Sequence, residues 1–292
     1  MAGSGTSLAA RRRARWATLA CWTLVAALAL GCCCPTAYQH GPPAPAPRPT
    51  APGGPGEGPG HRPQRLALSP KEEYAVGIRA YQEVMDKNRG RVLPPDDPEV
   101  EHVRDITMRI AQVVAIKPFD QELNLRISGY RFAWEANVIR DNKVNAFCLP
   151  AGKVFVFTGI LPVAQNEDQL ATVLSHEIAH ALAHHASERI AREEQTGGGI
   201  LSSLGNLRFD REQESEADHI GVFLMTFAGY DPHQAVVFWE RMARRMGSEQ
   251  HPPEWLSDHP SDQHRIEALK QWVPRALAGK QAYDEGRIAP PR

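Results

Sequence analysis

Two histidines four residues apart, His176 and His180 in the run His-Glu-Ile-Ala-His, constrain the fold of this chain most strongly. In an α-helix, residues i and i+4 are about 400° apart, so the two imidazoles lie within about 40° of each other and can bind one metal ion. Glu177 lies about 60° from His180, where its carboxylate can reach a water molecule on that ion. The motif therefore requires this segment to be a helix.

The residues around the pentad fit such a helix. Asn166 is a suitable N-cap residue. Apolar residues recur at helical spacing on one face, at Leu170, Val173, Leu174, Ile178 and Ala181. A catalytic zinc ion needs three protein ligands and one position left for water. A third ligand must therefore come from another segment.

Candidates for the third ligand lie in the acidic run of residues 211–218. Glu214 and Asp218 share one helix face. One of them can bind the metal while the other accepts a hydrogen bond from a ligand histidine and fixes its tautomer. The small side chain of Ala217 borders this face and would let two helices approach closely. Spacing alone does not separate Glu214 from Glu216 as the ligand.

Helical and β-prone segments follow one another in an order typical of an α+β domain. Residues 69–72 form a capping box for a first helix, and a proline-rich turn at 94–98 begins a second. The β-prone runs that follow are 123–128, 132–139, 144–149 and 154–157. Beyond Thr158 the pattern is helical to the end. We expect a mostly helical α+β domain with a small sheet beside the pentad helix.

The first 31 residues read as a signal peptide. Four arginines precede an apolar stretch at 16–30, and small residues lead to Cys32. This junction resembles a bacterial lipobox, which predicts acylation of Cys32; an ordinary secretory signal is the alternative. Residues 35–63 contain 10 prolines and 6 glycines and are predicted to be a tether. The predicted organisation is signal peptide 1–31, lipidated cysteine and tether 32–68, folded domain 69–275 and C-terminal tail 276–292.

The charge of the chain argues against a nucleic-acid-binding protein, and its cysteine content argues against a disulfide-stabilised domain. The chain has 33 basic and 34 acidic residues, and the signal segment carries four of the basic ones, so nucleic acid is an unsuitable partner. Four of the five cysteines lie at positions 21–34. Cys148 is thus alone in the folded region, which predicts no internal disulfide and a small core residue at that position.

Five blocks in order resemble the M48-type (Ste24/HtpX-like) zinc metallopeptidases of the bacterial lipoprotein branch, over residues 69–272. The blocks are Val-Asn-Ala-Phe at 144–147 with Pro-Ala-Gly at 150–152, the pentad within 174–180, Glu-Ser-Glu-Ala-Asp-His-Ile-Gly at 214–221, Gly-Tyr-Asp-Pro at 229–232, and Ser-Asp-His-Pro at 257–260 with Arg265-Ile266. The resemblance implies a zincin-type metallopeptidase domain.

The resemblance also assigns roles to residues. It implies one Zn²⁺ per chain, bound by His176, His180 and Glu214, with Asp218 as hydrogen-bond partner of a ligand. Glu177 then acts as the base that takes a proton from water and passes it to the leaving amine. His259 either stabilises the oxyanion or occupies the open coordination site in a resting state.

Three functional hypotheses follow. The first is a zinc endopeptidase that hydrolyses misfolded or unassembled envelope proteins, with unfolded or extended polypeptides as substrates. The second is a chaperone-like binding lipoprotein that keeps zinc for its shape, which the intact Glu177 argues against. The third is a structural lipoprotein with an accidental pentad, which the ordered blocks argue against.

The predicted location is the bacterial cell envelope, lipid-anchored, facing the periplasm, at the outer membrane because Cys33 follows Cys32.

Several other features have structural interpretations beside functional ones. His184 is expected at the surface or behind a metal ligand, and His185 is expected to be structural. Residues 195–206 are either a lid over the cleft or a plain connection. The run 132–139 is a candidate edge strand for pairing with an extended substrate. The sequence makes no prediction of oligomeric state.

Overall fold

The computed structural model of the protein describes residues 59–114, 116, 123–196, 209–248, 255, 258–259 and 263–287. These residues all belong to one compact unit, Pro47–Arg292. The predicted signal peptide, Cys32 and most of the predicted tether lie outside the described residues, as do residues 197–206 of the predicted lid. Within the described residues, no helix is both long enough and apolar enough to cross a bilayer.

The first two helices begin where their sequence signals predict. Helix α1 (Pro70–Lys87) has the full capping box, in which the Ser69 side chain accepts a hydrogen bond from the Glu72 N–H and the Glu72 carboxylate accepts one from the Ser69 N–H. Helix α2 (Pro98–Val113) is capped by Asp97. Both helices have proline at the first position, where the missing N–H costs no hydrogen bond.

Three strands form a mixed sheet in the order β1-β3-β2. Strand β1 (Glu135–Ile139) runs parallel to β3 (Lys153–Phe157), and β2 (Ala146–Leu149) runs antiparallel to β3. The prediction of a strand at 123–128 is wrong. In that segment Asn124 has a positive φ of 51°, which interrupts the extended conformation.

The two faces of the sheet pack against different elements, because alternate side chains point to opposite sides. Aromatic residues Phe155 and Phe157 face α1, where they form a small cluster with Ala80. Val154 and Val156 point the other way, into the main core of the helical body. The predicted mostly helical α+β fold is confirmed, with its sheet beside the pentad helix.

The rest of the described chain is helical, as predicted beyond Thr158. The helices are α3 (Leu161–Ala164), α4 (Glu167–Leu182), α5 (His185–Thr196), α6 (Arg211–Phe227), α7 (His233–Ser248) and α8 (Gln263–Asp284). Helix α4 contains the pentad and is the centre of the body, with every residue from Gln169 to Leu182 buried. Asn166 caps it, since its side chain accepts a hydrogen bond from the Gln169 N–H at 2.9 Å.

Helices α4 and α6 meet at two small residues of α6. Ala217 is fully buried. A Cβ placed on Gly221 would lie 3.2 Å from the backbone nitrogen of His176 and 3.3 Å from its Cα. Such contacts are with the backbone of a buried helix, which cannot move aside. Glycine at this position therefore lets the helix that bears the pentad and the helix that bears the acidic run approach closely.

The folded unit extends beyond the predicted domain at both ends. Residues 59–68 pack against the C-terminal end of α4, where the buried Gln64 side chain donates to the Ala183 carbonyl at 2.7 Å. At the other end, α8 continues past its internal Pro274 to Asp284, and Ala276 is fully buried. The predicted tether (32–68) and C-terminal tail (276–292) therefore include residues that pack into the folded unit.

Gly221→Ala is expected to lower the free energy of unfolding by about 1–3 kcal/mol, because the added methyl overpacks the contact with α4. Gly279→Ala is the matched control. Its Cβ would meet Phe227 at an ordinary 3.6 Å, so the better helix propensity of alanine should stabilise by about 0.5–1 kcal/mol. Urea unfolding measures both. A Gly221→Ala protein as stable as the parent would contradict the tight contact.

Candidate metal centre

The pentad residues of α4 point into a buried cluster rather than to solvent. His176 and His180 are only 2% and 3% exposed, and their Nε2 atoms lie 3.1 Å apart. Glu177 is buried beside them. This matches the one-face arrangement that the i, i+4 spacing predicts.

Helix α6 brings Glu214 to the same point. Its carboxylate oxygens lie 3.4 Å from His176 Nε2 and 3.5 Å from His180 Nε2. His259 completes the group, with Nδ1 at 2.9 Å from Glu214 Oε1 and 3.2 Å from His176 Nε2. All four ligand atoms lie within 4.8 Å of one another. The structure thus separates Glu214, which joins the cluster, from Glu216, which does not.

These separations suit a tetrahedral ion. Ligands at about 2.0–2.2 Å from a tetrahedral zinc ion lie about 3.3–3.6 Å from one another. Five of the six residue pairs in the cluster have donor atoms 2.9 to 3.5 Å apart. Nitrogen and carboxylate oxygen are also the donor types that zinc takes. The cluster therefore fits a single divalent ion.

The second nitrogen of His176 faces Asp218. Nδ1 lies 3.0 Å from Asp218 Oδ1, which keeps a proton on Nδ1, so that the neutral ring has its lone pair on Nε2. Arg265 of α8 holds the acid from behind, with Nε at 2.6 Å from Asp218 Oδ2. Arg265 Nη1 also lies 2.8 Å from Glu214 Oε2. One guanidinium thus holds both Asp218 and Glu214 of α6.

The pKa shifts of the buried groups differ in direction from residue to residue. Burial alone would lower the pKa of His176, but hydrogen bonds to Asp218 and Glu214 raise it to about 9. Burial and the charge of His176 hold the pKa of His180 well below its usual value. Burial would raise the pKa of Glu214, yet the charges of His259 and Arg265 keep it well below normal. An ionised Glu214 beside two imidazoles is the state that binds a cation.

Glu177 has a partner that the sequence did not indicate. The indole Nε1 of Trp255 donates to Glu177 Oε1 at 2.8 Å, and His259 Nε2 lies 3.4 Å from the same oxygen. Burial raises the pKa of Glu177. No motif or spacing marked Trp255, because its indole reaches the carboxylate only through the tertiary fold.

His259 and Trp255 belong to the same turn of chain, since the His259 N–H donates to the Trp255 carbonyl at 2.8 Å. Its ring contributes Nδ1 to the ligand cluster and Nε2 to the side of Glu177. Of the two roles expected for His259, this arrangement favours occupation of a coordination site.

His184 and His185 are both buried, so the surface alternative for His184 is wrong. His184 is buried: its Nδ1 lies 2.9 Å from Glu73 Oε1, and its ring stacks on Tyr130 at 3.8 Å. His185 is also buried, with Nδ1 2.8 Å from His180 Nδ1. Neither is a surface residue, and His185 lies directly behind a residue of the cluster.

The sheet edge near the cluster is β2. The outer edge of β1 is partly occupied, since Leu93 N–H donates to the Val138 carbonyl and Arg140 N–H donates to the Arg91 carbonyl. Cys148 of β2 is close enough to Glu177 for that charge, after burial, to help raise the pKa of its thiol well above its usual value. The run 132–139 is therefore less suited to pair with a substrate than β2.

A family comparison agrees with this geometry. The model of Peptidase family M48 matches residues 120–197 and 196–273, together more than half of the chain. The chain belongs to peptidase family M48. The family resemblance predicted from the five blocks is thus confirmed, whereas the lipoprotein branch is not.

Individual M48 proteins are similar over most of the domain. The mitochondrial metalloendopeptidase OMA1 of Schizosaccharomyces pombe is 37% identical over 229 residues, covering 73% of this chain and 64% of the relative. OMA1 of Saccharomyces cerevisiae is 34% identical, covering 70% and 64%. The beta-barrel assembly-enhancing protease of Escherichia coli is 26% identical over 156 residues, 44% of this chain and 32% of that protein. The chain thus spans less than two thirds of the length of these relatives.

The M48 relatives correct the predicted location. OMA1 proteins that match at 28–37% identity are named as mitochondrial in fission yeast, budding yeast, Arabidopsis, cattle and human. The expectation of a location facing the periplasm at a bacterial outer membrane is therefore wrong. Acylation of Cys32, outside the described residues, stays a prediction from the sequence.

Glu214→Gln is expected to abolish stoichiometric metal binding, because the amide removes the charge that the cluster offers to the ion. Glu212→Gln, an exposed position in the same first turn of α6, is the matched control and should bind one ion per chain like the parent. Metal analysis after dialysis against micromolar zinc measures both. Full zinc content in Glu214→Gln would exclude Glu214 as a ligand.

Proposed function

We propose that this chain is a zinc-dependent endopeptidase in which His176, His180 and Glu214 hold the ion. The observation that carries the proposal is the buried convergence of two imidazoles and one carboxylate next to a fourth group, Glu177, that is not needed to hold a metal. A purely structural zinc site has no use for an additional acid–base group. Asp218 fixes the His176 tautomer, which completes the predicted set.

A bound zinc ion would supply Lewis acidity, polarising the scissile carbonyl and lowering the pKa of water towards about 7. Glu177 accepts the proton from the attacking water and delivers it to the departing amine. Its raised pKa suits it to hold that proton between the two steps. Trp255 holds the carboxylate in place, since the indole N–H binds Oε1 and leaves the other oxygen available.

We further propose that His259 fills the fourth ligand position in a resting state. With Nδ1 among the other ligand atoms, the site has four protein donors, and a catalytic zinc site needs one position left open. Substrate binding then requires the His259 ring to leave the cluster. The second expected role, stabilisation of an oxyanion, would need the ring beside the ion rather than on it.

The substrate class we propose is an unfolded or unassembled polypeptide bound in extended form along β2. The Phe157 N–H donates to the Asn145 carbonyl, so alternate residues Phe147 and Leu149 bond to β3 while the main-chain groups of Ala146 and Cys148 point to the outer edge. A peptide added there would lie against the side of Glu177. Main-chain pairing selects extended backbone over side-chain sequence.

Glu177→Gln is expected to keep one zinc per chain and the parent stability, but to lower the rate of casein cleavage by about 10²–10⁴-fold because proton transfer is lost. Glu167→Gln, an exposed position in the first turn of the same helix, is the control and should cleave like the parent. A Glu177→Gln protein that cleaves at the parent rate would remove Glu177 from the mechanism.

His259→Gln separates the two roles of that residue. If the ring only blocks the fourth position, the variant should retain one zinc per chain and cleave an unfolded substrate at least as fast as the parent. The cleavage rate with saturating zinc is the measurement. A fall of about 10²-fold or more would instead indicate stabilisation of the transition state and contradict the resting-state role.

A further inference from the structure

His185 forms a contact that reaches the metal cluster from behind. Its side chain is completely buried at the start of α5, and its two ring nitrogens have different partners. Nδ1 lies 2.8 Å from His180 Nδ1, and Nε2 lies 3.0 Å from Glu216 Oε2. The ring thus connects the second nitrogen of His180 to a carboxylate on α6.

The partners fix where each ring proton lies. A carboxylate only accepts hydrogen bonds when ionised, so His185 carries its proton on Nε2 and presents a lone pair at Nδ1. His180 Nδ1 must then donate to that lone pair. This places the lone pair of His180 on Nε2, the atom that faces Glu214 and His176. Only this tautomer of His180 can bind a metal ion through Nε2.

Glu216 is held in turn by the segment before α1. Arg62 donates from Nε to Oε1 and from Nη2 to Oε2 of Glu216, the latter at 2.8 Å, and it also donates to both carboxylate oxygens of Glu188 of α5. The guanidinium therefore bridges α5 and α6 close to His185, which belongs to α5 and contacts Glu216 of α6. The bidentate contact fixes the orientation of the carboxylate.

We propose that His185 is a positioning residue for His180, and that Glu216 and Arg62 complete a chain of hydrogen bonds that sets the tautomer and orientation of this ligand. The proposal rests on the proposed metal site and assigns it a second outer support beside Asp218. The acceptor at Nδ1 of His185, rather than the volume of its ring, is the essential feature.

The neighbouring histidine provides a matched control. His184 is equally buried and also contacts a carboxylate, Glu73, but its Nε2 faces the Arg126 carbonyl at 3.1 Å rather than a residue of the cluster. Its φ of +55° is a conformation that asparagine tolerates. His184→Asn therefore disturbs a buried histidine–glutamate pair without touching His180.

The test measures the zinc dissociation constant of the full chain by competition with a chelating dye. His185→Phe, which keeps a ring but removes the acceptor, is expected to raise the constant by about 10–100-fold. His185→Asn returns an acceptor near the position of Nδ1 and should recover to within about threefold of the parent. His184→Asn should also stay within about threefold, whatever its effect on urea unfolding.

Each result has a definite meaning. Parent-like zinc binding by His185→Phe, or binding by His185→Asn as weak as that of His185→Phe, would overturn the proposal, because the acceptor would then have no effect. If His185→Phe does not fold, Glu216→Gln decides: a weaker zinc affinity supports the relay, and an unchanged one overturns it. A parent protein that binds no zinc would instead overturn the proposed function itself.

Discussion

The structure of the site depends on the Nε2 atoms of His176 and His180, which face each other at 3.1 Å. Each ring is hydrogen-bonded to another residue through its Nδ1 atom. His176 directs its other nitrogen to Asp218, and His180 directs its own to His185. Two lone pairs at that separation repel each other, so either a proton or a metal ion must lie between the two nitrogens. The ionised carboxylate of Glu214 also favours a positive ion at this point. The close approach of α4 and α6 at Gly221 brings these groups together.

The groups that fix the ligands come from distant parts of the chain. Arg265 of α8 holds Asp218 and Glu214, and Arg62 of the segment before α1 holds Glu216 behind His185. A buried charge without a partner is costly, so each of these carboxylates needs its arginine. This explains why the folded unit begins before the first helix. Both ends of the domain take part in setting the geometry of one buried cluster.

Local signals predicted much of this structure, and long-range contacts account for what they missed. The pentad, the Asn166 cap and the Ser69 capping box depend on spacing within one helix, which a sequence displays directly. The choice between Glu214 and Glu216 depends on which helix face meets α4, so spacing left it open. Trp255 reaches Glu177 across 78 residues of chain. The prediction of a strand at 123–128 failed because the β-prone residue types there do not reveal the positive φ of Asn124.

Anomalous diffraction at the zinc absorption edge tests the central claim most directly. Crystals of the zinc-loaded protein should show one strong peak per chain, about 2.0–2.2 Å from the Nε2 atoms of His176 and His180 and from an oxygen of Glu214. His259 Nδ1 should take the fourth place in the absence of substrate. A peak that lies away from either imidazole, or one with no bond to Glu214, would contradict the account.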